Sequence, residues 1–233
     1  MDTNLNPHLL HRKRLKSRFL QGGFSGFSEH EILELLLCYA LPRQDTNAIG
    51  HALIDRFGSL SRVMDADMRE LCEISGISEH SALLLKMIPE LCRAYLTDKG
   101  KAVKSYEDYD DAGRFFVNRF VGVSSEEVYA AFLDNGYHLL DCVKISEGIV
   151  NASAISIRKI ATLALLRNAS FVMLAHNHPG GTVIPSSDDL NVTRALSAAL
   201  ELLSVHLTEH YIVAGEQYVG ILKMRLGMSP SGL

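Results

Sequence analysis

Five consecutive apolar residues, Phe171 to Ala175, run without a break into His176-Asn177-His178-Pro179-Gly180-Gly181. A short apolar run bounded by a Gly/Pro loop reads as a buried strand, so this half of the chain must contain a sheet. In an extended segment residues i and i+2 point the same way, which lets the two imidazoles face one point. A strand end is rigid enough to hold two ring nitrogens ~2.0–2.1 Å from a zinc ion. Asp189 falls in the first turn of a helix that begins near Ser186 and could fold back to supply a carboxylate. His176, His178 and Asp189 with an open fourth position would make a catalytic rather than a structural zinc site.

The same residues admit a plainer reading. Ser186-Ser187-Asp188-Asp189 is also an ordinary capping box, and a His-x-His pair can be a surface feature. A bound water would further need a base. Glu126, Glu127 and Glu147 lie around the first hairpin. Glu127, at the start of a buried strand, can look inward, whereas Glu126 and Glu147 read as solvated charges.

The first 97 residues carry helical periodicity only. Ser28 with Glu31 forms a capping box ahead of a helix over Glu31–Leu41, with Ile32, Leu35, Leu36 and Tyr39 on one face and Pro42 as its stop. Further helices are expected over Thr46–Phe57, capped by Thr46, over Ser61–Cys72, and over Glu79–Leu96 with a kink or break before Pro89. A polar linker spans 98–112. Domain 113–233 then reads as helix through Phe115–Phe120, strand Val128–Leu133, strand His138–Ile145, helix Ser156–Asn168, strand Ser170–Ala175, helix, and strands His210–Ala214 and Tyr218–Leu222. Asp134-Asn135-Gly136 marks a hairpin in which Asn-Gly takes positive φ. The fold class is α+β: an all-helical module followed by a mixed sheet flanked by helices.

With 47% apolar and 21% charged residues, wholesale disorder is excluded. No apolar run is long enough for a membrane helix, no secretory signal is visible, and the four scattered cysteines fit a reduced, cytoplasmic protein. A net charge of −4 argues against bulk phosphate binding, although Arg12, Lys13, Arg14, Lys16 and Arg18 could leave a local footprint. Apolar helices would permit a homo-oligomer.

His176-x-His178-Pro179 followed by Ser186-x-x-Asp189 resembles the JAMM (MPN-type) metalloprotease signature, and the fuller string resembles the bacterial RadC family within it. Glu126-Glu127-Val128-Tyr129, Phe132-Leu133-Asp134 and Glu209-His210-Tyr211-Ile212-Val213 extend the likeness, as do Glu31–Leu36, Phe57–Leu60 and Ile74–Ile77 upstream. The resemblance implies a helix-hairpin-helix-like module and a cytidine-deaminase-like sandwich. It implies zinc on His176, His178 and Asp189, Glu127 as general base, and Ser186 orienting water or stabilising an oxyanion. The implied activity is peptidase or isopeptidase, on a protein or peptide substrate. The alternative is a DNA-repair-associated accessory protein with a silent zinc domain. The chain departs from the family at Gly180 (usually Ser), Lys159 (usually acidic), Glu209 (usually Asp) and Gly220 (usually Ser). At the helical hairpin, Gly76-Ile77-Ser78 replaces Gly-hydrophobic-Gly, which weakens the expectation of DNA binding.

Overall fold

The computed structural model describes residues 7–100, 105–148 and 155–227. The chain divides into two compact units at Leu91/Cys92. Helices α1 (Pro7–Gly22), α2 (Glu29–Ala40), α3 (Thr46–Phe57), α4 (Leu60–Asp65) and α5 (Met68–Cys72) form the first unit. The division falls within α6 (Glu79–Gly100). Of the expected 98–112 linker, residues 101–104 lie outside the described residues.

Local chemistry explains where the helical reading and the structure part. In α2 the buried apolar residues are Leu33, Leu35, Leu37 and Cys38, while Tyr39 is 67% exposed. Within a run of three leucines several apolar faces are available, and the neighbours choose. Leu33 and Leu37 join Leu53, Val63, Leu71 and Leu85 in one core, and Leu35 and Cys38 meet Leu15 of α1. The α3 cap is Asp45, whose carboxylate accepts from the Asn47 amide, rather than Thr46. The expected helix over 61–72 is two short ones, because Asp67 caps α5 and its carboxylate draws the Arg69 amide out of register with α4. Helix α6 continues through Pro89, so one missing donor does not end it.

The second unit carries α7 (Tyr109–Arg119), β1 (Glu127–Leu133), β2 (Leu139–Glu147), α8 (Ile157–Leu166), β3 (Phe171–Asn177), α9 (Ser187–Glu201), β4 (His206–Ala214), β5 (Gln217–Gly220) and α10 (Ile221–Gly227). One sheet runs β2-β1-β3-β4-β5, with β3 and β4 parallel and the other neighbours antiparallel. Alternation along the strands separates two apolar layers. Val128, Ala130, Phe132, Val172 and Leu174 pack with Ile160 and Ala164 of α8 and Val192, Leu196 and Leu200 of α9. Tyr129, Ala131, Leu133, Met173 and Ala175 pack with Ala112, Phe115 and Phe116 of α7. Helices therefore cover both faces of the central strands, which is why β1 is buried along its whole length.

The hairpin turn differs from the expected Asn-Gly form. Tyr137, at φ 59°, is the left-handed residue. The Asp134 carboxylate accepts from the Gly136 and His138 amides at 2.8 and 2.9 Å. This matches a three-residue loop closed by a left-handed position rather than a two-residue one.

The last expected strand, 218–222, stops at Gly220 because Glu209 ends it. The buried Glu209 carboxylate accepts from the amides of Leu222 (2.7 Å) and Lys223 (2.9 Å), which starts α10 in place of a longer strand. A Cβ on Gly220 would come within 2.4 Å of that carboxylate. Glu209 and Gly220 are thus sterically linked: the acid fills the space that a serine side chain at 220 would take.

Two outcomes are expected from this packing. A Cβ at Gly50 of α3 would sit 2.7 Å from the His30 carbonyl of α2, a backbone atom. Gly50→Ala should therefore destabilise by about 1–3 kcal/mol despite the better helix propensity of alanine, and an unchanged urea midpoint would contradict the close helix crossing. Gly220→Ser should lower stability by a similar ~1–3 kcal/mol. Most of that loss should be recovered in Glu209→Asp/Gly220→Ser; strictly additive effects in the double variant would refute the link.

Candidate metal centre

Strand β3 stays extended through Asn177, one residue pair further than the apolar run. Both ends of the Asn177 amide hold that rim in place. Its Oδ1 accepts from the Glu127 amide at 2.7 Å and its Nδ2 donates to the Ser125 carbonyl at 2.9 Å. The His178 amide donates to the Val213 carbonyl of β4 at 2.8 Å. The two histidines are therefore fixed by backbone bonds on both sides.

His176 Nε2 and His178 Nε2 lie 2.9 Å apart, and Asp189 Oδ1 is 3.3 Å from His176 Nε2. One ligand atom from each of the three residues falls within 4.8 Å of the others. The protonation of the rings follows from their other partners. His178 Nδ1 meets the Thr182 carbonyl at 2.7 Å, and a carbonyl only accepts, so Nδ1 carries the proton. Thr193 Oγ1 donates its single proton to the Asp189 carbonyl at 2.6 Å, so it accepts from His210 Nδ1, also at 2.6 Å. Neutral His210 then offers the lone pair of Nε2 to His176 Nδ1–H at 2.9 Å. Both facing Nε2 atoms are left as acceptors, beside a carboxylate oxygen. Three converging acceptors with no donor between them fit a cation, and imidazole with carboxylate suits zinc.

The capping and ligand readings of Asp189 are compatible, because its two carboxylate oxygens have different neighbours. Its Oδ2 accepts from the Ser186 amide (2.8 Å) and the Ser186 hydroxyl (2.7 Å), while its own amide donates to Ser186 Oγ (3.1 Å). The box fixes the carboxylate at the start of α9, and Oδ1 remains turned to the histidines. Ser186 thus reaches the site, with its hydroxyl proton directed to Asp189.

Glu127 is not brought to the histidines. Antiparallel pairing sets Val128 opposite His176, so Glu127 projects to the other sheet face together with Tyr129. There its Oε1 takes the Lys144 ammonium at 2.6 Å and its Oε2 the Tyr129 hydroxyl at 3.0 Å. The expectation that a carboxylate at the strand start looks toward the metal fails on strand parity. Glu126, the residue before β1, is near enough for its charge to favour the protonated form of His176. The sequence offers His206 and His210, flanking the late strand, as outer partners of the ligands at most, and does not single out Thr193. His210 is fully buried on β4 beside Leu174, and Thr193 lies one turn beyond Asp189 on α9. A histidine and a threonine within otherwise apolar periodic runs were the available signal. His206, by contrast, is exposed against Phe171.

The basic cluster on α1 is partly occupied within its own unit. Arg12 donates to the carbonyls of Leu41, Pro42 and Gln44 past the end of α2, Arg18 pairs with Glu31, and Lys16 lies over the Tyr39 ring. At the hairpin, the Ser78 amide donates to Ser81 Oγ at 2.9 Å. It therefore does not stand open to a phosphate.

Burial pushes the His176 imidazolium down to about 4, against the opposing pull of the Asp189 carboxylate, and takes His210 well below its ordinary value. Both rings are neutral near pH 7. With folded values depressed, this contribution is intact above about pH 6.5, where the unfolded rings are also neutral, and is lost as pH falls toward 4. The metal-free protein should lose up to ~1.4 kcal/mol per pH unit for each such ring across that window. Urea unfolding of wild type and His176→Asn would check it; identical pH slopes for the two would contradict the assignment.

Residues 106–226 match the family described as the RadC-like JAB domain. UPF0758 protein FN0909 of Fusobacterium nucleatum is 30% identical over 220 residues, covering 91% of this chain and 95% of that protein. UPF0758 protein Reut_A2732 of Cupriavidus pinatubonensis is 32% identical, covering 87% of this chain and 89% of that protein. UPF0758 protein BTH_I0781 of Burkholderia thailandensis is 33% identical, over 85% of this chain and 76% of that protein. With the family match spanning the sheet, both histidines and Asp189, the chain belongs to the RadC family of JAB-domain proteins.

Proposed function

We propose that the chain is a zinc-dependent hydrolase of the JAMM type that cleaves an amide bond, peptide or isopeptide, in a protein or peptide substrate. The observation that carries this reading is the convergence of His176 Nε2, His178 Nε2 and Asp189 Oδ1 as acceptors without a donor. Those atoms would hold one zinc ion, which when bound polarises a carbonyl and lowers the pKa of water toward about 7. The helices on both sheet faces support a cytidine-deaminase-like sandwich, and the turn at Gly76 between α5 and α6 supports a helix-hairpin-helix-like first unit.

The chain's own residues then divide the work. Glu126, whose charge reaches His176, accepts the proton of the attacking water and returns it to the leaving amine. Ser186 holds Asp189 by its second oxygen and leaves the first for the ion. Glu127, paired with Lys144 and Tyr129, ties β1 to β2 on the far face. The accessory reading, DNA binding by the helical unit, gains no support from Arg12, Arg18 and the Ser78 amide, which have partners within that unit.

Elemental analysis of wild type, His178→Ala and Asp189→Ala tests the site: near one zinc per chain is expected in the first and loss in both variants. A folded wild type that takes up no zinc on reconstitution would overturn the reading. Against mixed peptide and isopeptide substrates, Glu126→Gln should keep zinc and lose cleavage by ~10²–10⁴-fold, while Glu127→Gln should cost far less. The reverse ranking would return the base to Glu127.

A further inference from the structure

A line of hydrogen bonds leaves the candidate metal site through the back of His176 and returns to it through Asp189. His176 Nδ1 meets His210 Nε2 at 2.9 Å; His210 Nδ1 meets Thr193 Oγ1 at 2.6 Å; Thr193 Oγ1 meets the Asp189 carbonyl at 2.6 Å. His210 and Thr193 are buried, so water does not offer either ring nitrogen a substitute partner. The direction of the line is fixed at one end. Thr193 has one proton, and a contact of that length to a carbonyl requires it there. Each later bond then has only one polarity open to it.

We propose that Thr193 and His210 are positioning residues that set the tautomer of His176, holding its proton on Nδ1 so that the Nε2 lone pair faces the metal position. The proposal rests on the zinc reading above. Neither side chain touches the ion. They act by excluding the alternative His176 tautomer, in which Nε2 would carry a proton and could not ligate. The ring through α9 and β4 couples two ligands: the helix turn that places the Asp189 carboxylate also supplies, one turn on, the hydroxyl that orients His176. Outer partners of ligating histidines of this kind are worth ~10–100-fold in metal affinity.

Thr193→Val removes the hydroxyl at nearly constant volume. His210 then loses the acceptor for Nδ1–H and is free to carry its proton on Nε2, where it faces His176 Nδ1 and drives that ring to the wrong tautomer. Thr193→Ser keeps the hydroxyl. The full chain is compared as wild type, Thr193→Val, Thr193→Ser and His210→Leu, with zinc affinity measured by competition with a chromophoric chelator. Long-range ¹H–¹⁵N spectra of the metal-free proteins give the histidine tautomers. Zinc binding should weaken ~10–100-fold in Thr193→Val and His210→Leu and return toward wild type in Thr193→Ser. His176 should be Nδ1-protonated in metal-free wild type and should lose that form in Thr193→Val.

Unchanged affinity in Thr193→Val, or an Nε2-protonated His176 in wild type, overturns the proposal. If His210→Leu does not fold, the threonine pair decides alone. If wild type binds no zinc, the hydrolase reading fails, and the tautomer spectra still decide whether the relay exists.

Discussion

Two imidazole nitrogens that both carry lone pairs, 2.9 Å apart at the end of a buried strand, repel each other unless something positive lies between them. Protonating one ring would relieve the repulsion, but burial opposes it and depresses the charge on His176. On the zinc reading proposed above, a cation shared with the Asp189 carboxylate would relieve the repulsion without charging either ring. The elements around the site serve that arrangement. Strand β3 needs helices on both faces to be buried, Asn177 and Val213 pin its rim by backbone bonds, and α9 starts where its first turn can deliver an acid.

One capping box does two jobs because a carboxylate has two oxygens. Bonds from the Ser186 amide and hydroxyl to Oδ2 are the standard satisfaction of a helix start. They also remove the rotational freedom of the side chain that a ligand must lose. On the proposed zinc reading, helix capping and ligand preorganisation would be the same hydrogen bonds, so the structural and functional readings of Ser186 and Asp189 do not exclude each other. A similar economy appears at Glu209, which starts α10 and fills the space left by Gly220.

Strand parity decided what residue type could not. Glu126 and Glu127 are adjacent acids at the mouth of one strand, and either is chemically able to take a proton. Pairing of Val128 with His176 turns Glu127 away from the histidines and toward Lys144, while the charge of Glu126 reaches His176. A shift of one residue in that register would turn Glu127 to the histidine face.

The sequence by itself determined the order of the five strands and of the helices between them, the change from a helical to a mixed half, and the grouping of His176, His178 and Asp189. These rest on local signals: apolar period, caps, an i, i+2 pair on an extended segment, and a Ser-x-x-Asp helix start. Helix ends set by side-chain caps were readable to within a few residues, except where two acceptors competed, as at Thr46 and Asp45. Only the tertiary structure decided the buried face of α2, the side of the sheet on which Glu127 lies, and the role of His210. Those depend on contacts between residues far apart in the chain: Leu15 with Leu35, Val128 with His176, and His176 with His210 across 34 positions. Local periodicity states that a residue alternates or recurs; which neighbour it then meets is fixed by packing and register, and these exist only once the chain is folded.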